Sequence, residues 1–172
     1  ISLSLPWENE TLKVSTKEEK IEVLKQIRKH LKALENIDSN EFVSNIYKQC
    51  GMVELESGID QLDLKLSWSQ VNELLQNDLF SIGGHSVNHP VLAQLNDVDL
   101  DYEIQESIKM IIKNTSLDKV DHYAYPEGLD YCFSDRVINV LKKNGIKSSP
   151  TAISGYNDAN IDMFHLKRFL IT

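Results

Sequence analysis

Two histidines four residues apart, His85 and His89, could by type and spacing bind a metal ion. Imidazole nitrogens are common ligands of Zn²⁺, and two side chains at this spacing meet one ion when the residues between them form a single helical turn. Pro90 disfavours the α region for His89, so a long helix cannot run on through the pair. Residues 79–83 are predicted to form a buried strand with a sharp, glycine-permitted exit. The carboxyl end of such a strand is where α/β enzymes place their chemistry.

The spacing by itself also fits two solvated histidines, because two ligands are only half of a zinc site. The surrounding string is longer and more specific. Gly83 and Gly84 precede the first histidine, and Pro90 follows the second. This context favours a metal site over a chance pair.

Composition and charge disfavour several classes of function. The 172 residues are 41% hydrophobic and 26% charged, which is typical of a globular domain. The net charge of −8 disfavours nucleic-acid binding as the main function, since an acidic surface repels phosphates. No apolar run approaches the roughly 18 residues that a transmembrane helix needs. Cys50 and Cys132 indicate no disulfide framework and leave the compartment open.

Hydrophobic periodicity predicts two parts. Residues 1–66 are expected to be mainly helical, as an insertion or side module, and residues 67–172 to alternate helix and strand. Such alternation indicates an α/β fold with a parallel sheet. The helices are predicted over about 15–35, 39–50, 67–75, 100–111 and 134–144, and the strands near 79–83, 121–125, 148–153 and 164–171. Glu103 and Glu106 are interpreted as favourable negative charge in the first turns of the fourth helix.

A second motif, Tyr123-Ala124-Tyr125-Pro126-Glu127-Gly128, closes the next predicted strand. Alone it is typical of a structural turn, because proline fixes φ and glycine adopts dihedrals that other residues avoid. Together with His85-Ser86-Val87-Asn88-His89, however, it resembles the polysaccharide deacetylases (carbohydrate esterase family four). That family carries H-[ST]-x-x-H and, in some branches, F-A-Y-P-x-G. The resemblance covers roughly residues 64–172.

The resemblance implies a (β/α)7-type barrel, incomplete in this chain, that acts on an N-acetylated sugar or polysaccharide. The implied reaction is hydrolysis of the N-acetyl group of a cell-surface or lipopolysaccharide sugar, with release of acetate. It implies one divalent ion, zinc in the first instance, held by His85 and His89. The oxyanion or substrate contacts are implied in the loop of Tyr125, Pro126 and Glu127, where Glu127 is expected to be a turn residue.

Three departures from the family pattern bear on catalysis. The T-F-D-D-G string, source of the catalytic base and of an aspartate ligand, is absent, as is the late L-x-H string. Ala124 stands where the third motif often has arginine, and Glu127 stands at its aromatic position. Arg168 is the cation that we expect to orient the base instead.

We therefore expect the chain to be the carboxyl-terminal part of a deacetylase whose missing strands come from upstream residues or a partner chain. The alternative is a catalytically inactive deacetylase-like domain that serves as a carbohydrate-binding or interaction module. The remaining histidines are interpreted as structural: His30 solvated on a helix, His122 packed in the core, and His165 on the last strand.

Overall fold

A computed structural model describes residues 1–33, 39–52, 64–169 and 171. The chain divides into two compact units, Ile1–Lys65 and Leu66–Thr172. Each unit has its own elements and its own apolar interior. None of the helices in the described ranges is long and apolar enough to cross a membrane.

The first unit contains a short hairpin and two helices. Strand β1 (Ser2–Leu3) pairs antiparallel with β2 (Leu12–Lys13), and helices α1 (Lys17–Ala33) and α2 (Ser39–Gln49) follow. The two predicted helices are confirmed over the described residues, whereas residues 34–38 and 53–63 lie outside them. Glu19 accepts hydrogen bonds from the backbone N–H groups of Ser15 and Thr16, which satisfies two donors at the start of α1.

His30 is not solvated as predicted. Its ring stacks on Trp7, with centroids 4.4 Å apart and planes 5° from parallel. Its Nδ1 lies 2.9 Å from the carbonyl oxygen of Gln26. The periodicity of α1 located its apolar face but could not show that Trp7 covers the neighbouring polar position.

Among its described residues the second unit has three α-helices: α3 (Trp68–Leu74), α4 (Asp97–Asn114) and α5 (Asp135–Lys143). Each begins beside a residue of capping type. Ser67 and Gln70 form a capping box at α3, and Asn96 Oδ1 accepts from the Asp99 N–H at α4 at 3.0 Å. The inward faces of α4 and α5 build the main core of the unit, together with aromatic and aliphatic residues from the segments between them.

Four extended segments of this unit lie side by side and are joined by isolated parallel bridges. The bridges are Gly84 with Tyr123, His122 with Ser148, and Pro150 with Leu166. Helix α4 connects the first two segments and α5 connects the second and third, so helix and extended segment alternate along the chain. Among the described residues only β1 and β2 extend to more than one bridge. The incomplete barrel therefore stays a prediction.

The predicted buried strand at 79–83 is wrong: none of these residues is buried or paired in a strand, and the first bridge lies at Gly84. Leu79 is 89% exposed and Phe80 is 51% exposed. Both belong to a turn after α3, in which the N–H groups of Leu79 and Phe80 bond to the Asn77 side chain and carbonyl. Because these N–H groups bond within the turn, hydrogen bonding to the neighbouring extended segment begins only at Gly84. Ile82 alone of this apolar run packs against the core.

Candidate active site

Gly83 and Gly84 allow the histidine segment to approach the next extended segment closely. A Cβ at Gly83 would lie 2.8 Å from the His122 carbonyl oxygen, and one at Gly84 would lie 2.5 Å from the ring of Tyr123. Neither glycine has a positive φ, so the predicted sharp turn out of the strand is wrong. Their role is instead to leave room for the neighbouring segment, because glycine has no Cβ. The Gly84 N–H donates to His122 at 2.9 Å, and the Ala124 N–H donates back to Gly84 at 2.8 Å.

The residues from Ser86 to His89, which we name the histidine turn, do not form the helical turn that their spacing predicted. Ser86 and His89 have φ values of 64° and 58°, the left-handed region that non-glycine residues rarely adopt. The first and last N–H groups of the turn are held at either end. The Ser86 N–H donates to the Tyr123 hydroxyl at 2.7 Å, and the His89 N–H donates to Ser86 Oγ at 2.9 Å.

The two middle N–H groups of the turn donate to one carboxylate oxygen of Glu103, on α4. Oε2 accepts from Val87 at 2.8 Å and from Asn88 at 3.0 Å, while Oε1 accepts from the Asn88 side-chain amide at 2.7 Å. Glu103 is only 6% exposed. Its interpretation as a charge complementing the helix dipole is therefore wrong: it lies on the buried face of α4 and closes the turn.

The imidazole of His85 is oriented by a backbone carbonyl of the second motif. Its Nδ1 lies 2.8 Å from the Ala124 oxygen. A carbonyl can only accept, so this contact requires the proton on Nδ1 and leaves the Nε2 lone pair available. Ligating histidines commonly have this arrangement, in which the far nitrogen donates to a carbonyl or carboxylate.

His85 and His89 are brought together. Their ring centroids are 4.8 Å apart with planes at 74°, and both residues are exposed. Two neutral imidazoles suit zinc and related ions, but structural and catalytic zinc sites use three or four protein ligands. Within the described ranges, no group of three or more histidine, cysteine, aspartate or glutamate side chains could hold an ion. The donor set therefore fits part of a metal site.

The second motif forms a loop beside the histidine turn, which the His85–Ala124 contact joins to it. Tyr125 is 1% exposed, stacks on Phe133 with centroids 4.4 Å apart, and donates its hydroxyl to the Phe164 carbonyl at 3.0 Å. Pro126 is also buried. Glu127 has a φ of 59° and Gly128 of 72°. In the described part of the chain, every non-glycine residue with positive φ lies in one of these two loops, where functional sites commonly store such strain.

Burial raises the pKa of both motif tyrosines, Tyr123 and Tyr125, to about 12. The cause is desolvation, which penalises the phenolate. Both hydroxyls therefore stay protonated at neutral pH. For Tyr123 this means that its oxygen accepts from the histidine turn as a neutral group.

Arg168 is held by carbonyls rather than by either motif loop. Its Nε donates to the Thr151 oxygen at 2.5 Å, and its N–H donates to the Ile153 oxygen at 3.0 Å. It follows the Pro150–Leu166 bridge by two residues, on the carboxyl-end side that also carries the motif loops. No hydrogen bond or ion pair among the described residues links Arg168 to His85 or His89.

The two other histidines of this unit lie apart from the pair. His122 is exposed rather than packed in the core, and its Nδ1 lies 2.8 Å from Ser148 Oγ. Successive side chains of an extended segment point to opposite faces, and because Tyr123 is buried, His122 faces outward. His165 contacts Asp162 at 3.0 Å and meets the ring of Phe133 edge-on, in agreement with a structural role.

A cleft of about 310 Å³ opens beside the histidine turn. His85, Ser86 and Val87 form part of its wall, and apolar side chains of α3 and α4 form much of the rest, among them Trp68, Val71, Met110 and Ile111. Its lining is mostly apolar, with a few polar side chains such as His85, Ser86 and Ser107. This composition is common in small-ligand sites.

Comparison with known proteins identifies the family. The sequence profile of the family described as polysaccharide deacetylase matches residues 37–149, so the chain belongs to the polysaccharide deacetylases. The match begins well before residue 64, where the resemblance was expected to start. Among curated proteins, none is significantly similar to the chain.

Two solved structures share the fold. One is the Streptococcus pyogenes deacetylase PplD in complex with acetate, 25% identical with a TM-score of 0.56, covering 62% of this chain and 45% of that one. The other is the deacetylase domain of BpsB from Bordetella bronchiseptica, 16% identical with a TM-score of 0.55, covering 67% and 54%. The chain thus spans about half the length of each.

Proposed function

We propose that this chain supplies two metal ligands, His85 and His89, to a carbohydrate N-deacetylase that needs a divalent ion, with zinc the first choice. The proposed substrate is an N-acetylated cell-surface or lipopolysaccharide sugar, and the products are the free amine and acetate. One observation carries the proposal. The Ala124 carbonyl fixes the His85 tautomer and leaves Nε2 available beside the ring of His89. A solvated pair would need no such partner.

When bound, the ion would lower the pKa of a coordinated water molecule toward about 7 and polarise the acetyl carbonyl. The residues of this chain orient the ligands and stabilise charge. Acyl transfer also needs an N–H group aimed at the developing oxyanion. Pro126 has no N–H, and the Tyr125 N–H bonds to no described residue. We assign the Tyr125 N–H as that donor.

The third ligand and the catalytic base are assigned to residues outside the described part of the chain. Upstream residues are the source that we favour over a partner chain, because one added strand would supply both groups and extend the parallel segments toward a (β/α)7-type barrel. We assign Arg168 the role of orienting that base. The Thr151 contact uses only its Nε and leaves the terminal nitrogens of the guanidinium for a carboxylate.

The decisive experiment compares metal binding and deacetylation. Zinc content after dialysis is measured for the 172-residue chain and for His85→Ala, His89→Ala and the control His122→Ala. We expect weak binding that both ligand variants lose and the control keeps. Acetate release from N-acetylated oligosaccharides is then measured for the 172-residue chain and for a longer protein that includes the upstream residues. We expect activity in the longer protein, and we expect His85→Ala to abolish it. Equal metal content in all variants would contradict the assignment.

A second candidate function is a sugar-binding module without catalysis. The observation in its favour is the lack of a third ligand near the histidines within the described ranges. The two candidates differ in one result. A module would bind N-acetylated oligosaccharides without releasing acetate, even in the longer form and with every divalent ion tested.

A further inference from the structure

We propose that Glu103 is a positioning residue whose carboxylate fixes the conformation of the histidine turn and, through it, the spacing of the two imidazoles. The part of this proposal that concerns metal binding rests on the function proposed above. Its claim about the turn stands on the contacts of Glu103 alone. Glu103 touches neither histidine in any hydrogen bond of the described chain.

The first argument is the hydrogen bonding of Glu103. A buried carboxylate is costly unless its oxygens are satisfied, and hydrogen bonds that involve a charged partner are about twice as strong as neutral ones. Both oxygens of Glu103 are satisfied by the turn: Oε2 by Val87 and Asn88 N–H groups, and Oε1 by the Asn88 side chain. A residue that served only to start α4 would point its carboxylate at the first helical N–H groups instead.

The second argument is conformational strain. Ser86 and His89 both have left-handed dihedrals, and such residues persist only where their surroundings over-determine them. The contacts that do so come from Tyr123, from Ser86 itself and from Glu103. Glu103 provides three of these five hydrogen bonds, and among the described residues it alone bonds to the two middle residues of the turn. Without it, the turn is free to relax toward ordinary dihedrals, which would move His89 relative to His85.

The third argument is the rigidity of the support. Leu100 and Ile104, which flank Glu103 on the buried face of α4, are both fully buried, and Ser107 one turn later is 5% exposed. The carboxylate is therefore held in place by a packed helix rather than by a loop. A ligand pair positioned in this way keeps its geometry before an ion arrives.

The test uses four variants of the 172-residue chain. Glu103→Ala removes all three hydrogen bonds. Glu103→Gln keeps one oxygen for the two backbone N–H groups, and its amide can pair with Asn88 once that side-chain amide rotates. Asn88→Ala removes only the side-chain contact. Glu106→Gln is the matched control, one turn along the same helix, where the carboxylate is 38% exposed and lies 3.6 Å from Lys109.

The first readout is hydrogen exchange of the Val87 and Asn88 amides by NMR, measured without metal and compared with amides inside α4 and α5. We expect exchange at the two turn amides to rise about 10-fold or more in Glu103→Ala. Glu103→Gln and Asn88→Ala should change it only a few-fold, and the control should not change it. Helix amides should be unaffected. Unchanged turn amides, or an equal rise at every amide, would overturn the proposal, because the second result marks a purely structural role.

The second readout is zinc affinity, which separates this proposal from the proposed function. If the turn amides respond as expected, Glu103→Ala should weaken zinc binding about 10–100-fold, as loss of an outer-shell partner does, with recovery in Glu103→Gln. Zinc affinity unchanged in Glu103→Ala despite a loosened turn would overturn the link from turn to imidazole spacing. A third outcome is faster exchange of the turn amides in Glu103→Ala together with no zinc binding by the wild-type chain. It would contradict the metal assignment and leave Glu103 as the residue that positions the turn.

Discussion

The Nδ1 atom of His85 lies 2.8 Å from the carbonyl oxygen of Ala124, a residue 39 positions later in the chain. This contact joins the two sequence motifs directly. It also sets the chemistry of the ring, because a proton held on Nδ1 leaves Nε2 as the only nitrogen able to bind a metal ion.

The first prediction concerns that tautomer. In long-range ¹H–¹⁵N spectra of the metal-free protein, recorded with the imidazole rings uncharged, we expect His85 to show a single tautomer protonated at Nδ1. His89, whose ring makes no hydrogen bond to any described residue, should show the mixture of an unconstrained imidazole. Because the two rings are measured in one sample, His89 is an internal control. A mixture of tautomers at His85 would mean that the Ala124 contact does not hold in solution.

The second prediction concerns Gly84. In Gly84→Ala the new Cβ would lie 2.5 Å from the Tyr123 ring, and that ring cannot retreat because it is buried in the core. We expect a loss of unfolding free energy of about 1–3 kcal/mol and altered imidazole resonances of His85.

Gly145→Ala is the control for this change. Nothing lies within 4 Å of a Cβ at that position, but its φ of 83° is strained for alanine. It should therefore lose stability by about 1–2 kcal/mol without any change at His85. Perturbation of His85 in both variants would show that the close approach at Gly84 is not what matters.

The third prediction concerns Tyr123 and alkaline pH. Its pKa is raised by burial to about 12, so the folded state keeps its proton when the unfolded state loses it. The resulting stability is fully present below about pH 10 and is lost as the pH rises to about 12, up to about 3 kcal/mol for this group. We expect Tyr123→Phe to flatten this loss, measured by chemical denaturation at several pH values.

The same variant should be less stable than wild type at neutral pH, by about 1–3 kcal/mol, since the Ser86 N–H loses its acceptor. Tyr102→Phe, at a position 55% exposed, should change neither quantity. A Tyr123→Phe curve parallel to that of wild type would contradict the pH argument. Equal stability at neutral pH would contradict the hydrogen-bond argument.

The fourth prediction concerns Arg168 and is made for a form extended by upstream residues, in which we propose activity. Arg168→Lys keeps the charge but loses both the Nε contact to Thr151 and the planar donor pair. We expect kcat to fall about 10–100-fold with zinc content unchanged. Lys167→Arg, the neighbouring and exposed position, should retain activity. Full activity in Arg168→Lys would remove Arg168 from the site.

Sequence reasoning located the two motif loops because their composition is unusual: paired histidines after glycines in one, and proline with glycine in the other. It located the helices because their apolar residues recur at helical spacing. It failed at Leu79 and Phe80, where an apolar run resembles a buried strand although the local turn at Asn77 takes its hydrogen bonds.

Glu103 and Ala124 show why the rest of the site was missed. Glu103 stands among acidic residues that do lie near a helix start, and only its place between Leu100, Ile104 and Ser107 on the buried face could have distinguished it. Ala124 orients His85 through its backbone carbonyl, and every residue type has such a carbonyl. The side chain at position 124 therefore could not predict this contact.

The two sets of contacts around the histidine turn differ in the length of chain that they close. Glu103 is 15 and 16 residues from the N–H groups that it binds, whereas Ala124 is 39 residues from His85. The entropy of loop closure grows with length, and short-range contacts form early in folding. The middle of the turn can thus be shaped as soon as α4 forms. The Ser86 N–H and the ring of His85 gain their partners only after the segment around Tyr123 docks. Metal added during refolding would therefore meet a partly shaped turn before it meets a competent ligand.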